Sequence, residues 1–192
     1  MTLKGPAPAG SARIVLVHFN EVQRPFFWRL RGSVVRSWRQ GTLVKTYQLA
    51  ELKSLVGSQI GTSDWVTIDQ KRIDQFAAVT GDDQWIHVDP VRAAAGMFGS
   101  TVAHGYLTLS LLPLFIRSSH KVGGARMSVN YGLNRVRFPA PVPVNSRLRA
   151  HFKLLAFEPI EGGVQLVTEV SVEREGHGKP VCVAESVGRL YS

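Results

Sequence analysis

From Tyr47 onward, apolar positions recur first with a helical period and then with a period of two. Leu49, Leu52, Leu55 and Val56 fall on one helical face, and Gly57 supplies a stop, so a short helix is predicted there. Gly61 to Asp64 reads as a turn into Trp65–Ile68. A second helix follows, with Ile73, Phe76, Ala77 and Thr80 on one face and Gly81 at its end. Asp89 and Pro90 stand in the order of a side-chain cap and a first-turn proline, which starts a short helical piece over Val91 to Ala95. From Tyr106 to Ile116 nearly every position is apolar on all sides, the pattern of a central helix enclosed by protein. Pro113, well inside it, removes one backbone hydrogen bond and predicts a bend or an end.

After Gly124 the alternation begins. Met127, Val129, Tyr131 and Leu133 alternate with polar residues, with a bulge expected near Gly132 to Asn134. Leu148, Ala150, Phe152 and Leu154 alternate with Arg147, Arg149, His151 and Lys153. Turns at Glu158–Gly163 and Glu175–Pro180 separate this strand from Val164–Glu173 and Val181–Tyr191, which together form an antiparallel meander. Arg147, Arg149 and Lys153 are expected to face Glu169 and Glu173, a contribution of a few tenths of a kcal/mol per pair. An apolar helix followed by a meander with one apolar face implies an α+β class, a curved antiparallel sheet wrapped around a central helix.

Composition changes this picture at one end only. Of the formal charge of +9, residues 1–48 supply +7, eight Lys/Arg against Glu21, while the other 144 residues hold fifteen against thirteen. A nucleic-acid reading of the domain therefore loses its footing. Residues 1–44, with the opening Lys4-Gly-Pro-Ala-Pro-Ala-Gly10 and the basic, aromatic-bearing Arg24–Arg31, form an N-terminal extension that fits lipid or nucleic-acid binding, a targeting segment, or a plain tail. No regular period runs through it, which favours the tail, or translated upstream sequence. Residues 45–192 form a single domain. No apolar run reaches the length of a membrane helix, and the single Cys182, in Val-Cys-Val, reads as a structural thiol of a cytoplasmic protein.

By residue type, Asp82 and His87, five positions apart beside Gly-Asp-Asp, allow several readings. They could be a general acid and base, a structural cap and a satisfied histidine, or, with Asp83 and Asp89, a metal site whose spacing matches no standard motif. Ser110 carries no nucleophile elbow.

The set Gly81-Asp82, Ile86-His87-Val88-Asp89-Pro90, Phe98-Gly99, Ala103-His104-Gly105, Leu107 and Ser110 resembles the MaoC-like hydratases, the R-specific enoyl-CoA hydratases. Gln84–His87, Leu109–Pro113 and Asn130–Phe138 resemble the single-domain branch called nodulation protein N. The resemblance covers roughly residues 49–191. It implies a hot-dog fold and reversible addition of water to a trans-2-enoyl thioester of CoA or an acyl carrier, giving a (3R)-3-hydroxyacyl thioester. Asp82 and His87 would be catalytic, holding one water between them. The backbone N–H of Gly105, at a helix start and without a side chain, would receive the thioester oxygen.

Two departures bear on rate and chain-length preference. Gln84-Trp85 stands where characterised hydratases commonly have Asn-Pro; Gln84 could still orient the carboxylate or water, and Trp85 adds bulk near the pocket mouth. Pro113 falls where some members place a supporting serine, leaving Ser110, one turn earlier, as a substitute. The resemblance further implies a homodimer and no cofactor or metal, with Arg126, Arg135 and Arg137 as candidates for the phosphates of CoA. A non-catalytic acyl-thioester-binding protein and a thioester hydrolase are the alternatives.

Overall fold

The computed structural model describes residues 44–192, so the readings of the N-terminal extension lie outside the described residues. The central sheet has the order β2-β6-β7-β8-β5, with β3 also on β6. Its strands are β2 (Gln59–Thr62), β3 (Val66–Ile68), β5 (Met127–Arg137), β6 (Ser146–Ile160), β7 (Gly163–Arg174) and β8 (Cys182–Tyr191). Every pairing in it is antiparallel. The predicted β6–β7–β8 meander is present, Arg149 lies opposite Glu173 and Lys153 opposite Glu169, and Arg149 forms an ion pair with Glu173.

The helical half follows its start and stop signals. Leu49–Leu55 is a 3-10 helix, and α1 (Gln70–Thr80) is capped by Asp69, which accepts from the Arg72 N–H, and ends at Gly81 with φ +75°. A left-handed residue there is what glycine permits without steric cost. After α2 (Trp85–Val88), α3 (Pro90–Ala94) is capped by Asp89 as expected. One pairing escaped the sequence pattern: β1 (Lys45–Gln48) runs parallel to β4 (His120–Gly123).

The central helix is two segments, α4 (Gly105–Ser110) and α5 (Leu112–Ser119), joined at Leu111. Pro113 accounts for the break: lacking an N–H it cannot bond the Leu109 carbonyl, but it is tolerated in the first turn of a new helix. Leu107, Leu111, Leu112 and Phe115 join Leu148, Ala150, Phe152, Val170 and Ala184 in one core. Phe115 is fully buried, worth up to about 3 kcal/mol by the area it removes from water. The expectation of a helix enclosed on all sides needs correction: Tyr106, Ser110, Pro113 and Arg117 form an exposed stripe.

The apolar alternation of β5 is likewise not a core face. Irregularities after Asn130 and after Leu133 reset the pleat, so the strand's apolar residues divide between its two sides. Met127, Val129, Tyr131 and Leu133 are all exposed on this edge strand.

Candidate active site

Gly81 turns the chain at the end of α1, and its N–H returns to the Ala77 carbonyl at 2.8 Å, so Asp82 emerges at the protein's surface with its side chain 52% exposed. His87, on the single turn of α2, points inward and is 7% exposed. Its Nδ1–H donates to the Val102 carbonyl at 2.6 Å, and the Val102 N–H donates back to the Ile86 carbonyl at 3.0 Å. That bond fixes the tautomer and leaves the His87 Nε2 lone pair bare. Gln70 of α1 braces the loop: its amide donates to the His87 carbonyl at 2.8 Å and its oxygen accepts from Thr101 Oγ1 at 2.5 Å.

His104, immediately before α4, completes the group; in the sequence it stands only as part of the Ala103-His104-Gly105 motif. It is 2% exposed, its ring stacks on that of His87 with centroids 3.7 Å apart, and its Nε2–H donates to the Asp82 backbone carbonyl at 2.9 Å. Phe76 closes the other side, its ring centroid 5.0 Å from that of His104. The His104 Nδ1 is buried without a hydrogen-bond partner among the described residues. The signal available in the sequence was an imidazole next to the glycine that opens the central helix.

Burial is the main force on His87, pushing its pKa below the usual 6.5; the Val102 carbonyl raises it, His104 lowers it and the Asp82 charge raises it. The ring is therefore a neutral base near pH 7. A carboxylate oxygen of Asp82 and one nitrogen of each histidine lie within 4.8 Å of one another. Asp82 and His87 make no direct hydrogen bond, and a gap of this size suits one water held by both.

A single metal ion suits the group poorly. An ion bound by imidazole lies in the ring plane, and two rings stacked 3.7 Å apart and 25° from parallel have no shared plane within reach of both, so one ion cannot sit well on both. Of the acids in the metal reading, Asp89 is occupied with the Arg92 N–H and Asp83 is exposed outside the group.

The remaining candidates divide. Gly105 begins α4 beside His104, and its N–H has no acceptor among the described residues. The reason for glycine there is a neighbour: a Cβ would meet the Phe138 ring at 2.8 Å. Gln84 contributes its backbone, accepting from the His87 N–H at 2.9 Å, while its side chain is exposed and makes no hydrogen bond among the described residues. Ser110 is also exposed and donates to the Tyr106 carbonyl at 2.7 Å, away from Asp82. Trp85 packs on Gly96 and under Arg92, 4.5 Å from its ring centroid. Arg135 is paired with Glu185, and Arg126 lies beyond the far end of β5, roughly 30 Å of strand from Arg137. The Cys182 thiol is buried, which pushes its pKa to about 11 and suits a structural residue.

Residues 51–175 match the family model for the MaoC like domain. The chain is 52% identical over 151 residues to 3-hydroxyacyl-thioester dehydratase Z of Mycobacterium tuberculosis, covering 78% of this chain and all of that protein. It is 46% identical to nodulation protein N of Rhizobium leguminosarum bv. viciae, over 71% of this chain and 86% of that protein. Among solved structures, an R-hydratase of Pseudomonas aeruginosa superposes with a TM-score of 0.57 at 26% identity, covering 71% of this chain and 82% of that one. The (R)-hydratase of A. caviae gives 0.55 at 24%, covering 70% and 96%, and supports the hot-dog fold.

Proposed function

The chain belongs to the MaoC-like dehydratase family, and we propose that it reversibly hydrates trans-2-enoyl thioesters of CoA or an acyl carrier to (3R)-3-hydroxyacyl thioesters. The observation that carries this reading is the Asp82–His87 pair: a half-exposed carboxylate and a buried neutral imidazole with a bare Nε2, spaced for one shared water.

In the forward direction the pair removes a proton from that water as its oxygen bonds to C3. The C2–C3 π electrons move through the carbonyl to the thioester oxygen, where the Gly105 N–H stabilises the developing enolate. The proton then returns to C2, the C=O re-forms, and no charge or atom is left over. Dehydration runs the same steps backwards. The proposal extends to Arg137, next to the Phe138 that covers Gly105, as the arginine that receives the CoA phosphates.

We also propose a cytoplasmic homodimer. No helix among the described residues is long and apolar enough to cross a membrane. The exposed edge of β5 with Met127, Val129 and Tyr131 supplies an apolar face for a second copy.

Adding enzyme to crotonyl-CoA should remove the conjugated-thioester absorbance without releasing free CoA. Release of the thiol would identify a hydrolase instead, and binding without turnover would identify a carrier.

A further inference from the structure

At the far end of the central helix a polar pair is built into the interior. Ser119, which ends α5, and His120, which begins β4, are 6% and 8% exposed, and Ser119 Oγ lies 2.6 Å from His120 Nδ1. The hydroxyl has no other acceptor among the described residues, so it donates to Nδ1 and places the histidine proton on Nε2. That Nε2–H has no partner among them either. The space for the pair comes from Gly61: a Cβ there would collide with Ser119 Oγ and come within 3.0 Å of His120 Nδ1.

The His120 ring forms part of the wall of a cavity of about 280 Å³ between α5, β4 and the inner side of the sheet. Thr168 and Ser186, directly opposite each other across β7 and β8, line the same cavity, and neither hydroxyl has a hydrogen-bond partner among the described residues. Asn130 stands beside them on β5. Towards the Asp82–His87 end the inner side turns apolar: Leu133 lies opposite Ser186, and Val136 opposite Ala184. From Gly105 to Ile116, which lines the cavity, is eleven residues, about 16 Å of helix. A chain extended from the reacting end along α4 and α5 thus passes apolar side chains and reaches a cavity in which His120, Thr168 and Ser186 stand among apolar residues such as Phe152, Leu166 and Val170. A plain hydrocarbon end would gain the apolar contacts there but strip water from these polar groups without replacing their hydrogen bonds.

We infer that this cavity is a subsite for an oxygen-bearing acyl tail, so that the enzyme prefers enoyl thioesters whose chain carries a hydroxyl or carbonyl received by His120 Nε2–H, Thr168 and Ser186. The inference rests on the hydratase reading, because the thioester end is taken to lie at Asp82 and His87. Burial lowers the His120 pKa and keeps the ring neutral near pH 7, so it offers a donor without a charge, which suits an alcohol or ketone better than a carboxylate.

The test is a series of trans-2-enoyl-CoAs of rising chain length, each with its ω-hydroxylated twin, measured for Kd and for kcat/KM. At the length that reaches the cavity the hydroxylated twin is expected to be favoured about tenfold in wild type, the worth of a good hydrogen bond. The ratio should fall to one or below in His120→Leu, and should shrink in Thr168→Val, which keeps the shape if the histidine variant does not fold. An alkyl twin bound and turned over equally well at every length would overturn the inference, as would a preference untouched by both substitutions. Crotonyl-CoA, too short to reach the cavity, reports separately on hydration, and Kd reads the subsite even where turnover is absent.

Discussion

His104 stacks face to face on His87, at a 3.7 Å centroid distance, while its Nε2–H holds the Asp82 carbonyl. One side chain thus sets the orientation of the base and the path of the backbone that carries the acid. It touches no reacting atom and is a positioning residue. His104→Ala should lower kcat by about 10- to 100-fold with a smaller change in KM, since misplacement of a catalytic group is costly. The pH profile separates this role from loss of fold. Removing His104 takes away a neighbour that lowers the His87 pKa and admits water to a buried ring, so the acid limb of kcat/KM should move to higher pH.

Both buried histidines with depressed pKa, His87 and His120, are held neutral mainly by desolvation. The unfolded chain protonates them near 6.5, before the folded chain does, so it binds more protons as pH falls. Their contribution to stability is complete above about pH 6.5 and is lost as pH falls below it towards the folded-state values. Urea midpoints taken from pH 8 to pH 5 should fall over the lower half of that range, and His120→Leu should flatten the decline if it folds.

Gly105→Ala should destabilise the protein by about 1–3 kcal/mol, because the new methyl meets the Phe138 ring at 2.8 Å. Pairing it with Phe138→Ala should restore part of that stability, read as a denaturation midpoint. Activity should not return fully if the Gly105 amide receives the thioester oxygen, because the added methyl still crowds it.

The β6–β7–β8 meander and the capped α1 and α3 were legible because period and cap residues are local properties. Asp82 and His87 were legible as a pair, but their closeness to His104 was not: the two histidines are seventeen positions apart, and tertiary folding brings their rings together. The bulge expected near Gly132 to Asn134 is present in β5, but the exposure of its apolar residues was not legible, because a period-two pattern on an edge strand looks like one on a core strand. Gln84 and Ser110 carry side chains with suitable chemistry, but the local backbone turns one to solvent and ties the other to the Tyr106 carbonyl.

If the β5 edge joins two copies, Val129→Lys should shift the protein from dimer to monomer in sedimentation, since a charge on an edge strand opposes pairing. A dimer unaffected by this change would place the interface elsewhere.

The central claim is that Asp82 and His87 act as one unit on a shared water, and crotonyl-CoA hydration by Asp82→Asn, His87→Asn and the double variant tests it most directly. Each single variant should lose about 10²- to 10⁴-fold in kcat, and the double variant should be little worse than the worse single, as for residues that work together. Hydration that survives in the double variant at near the wild-type rate would contradict the account.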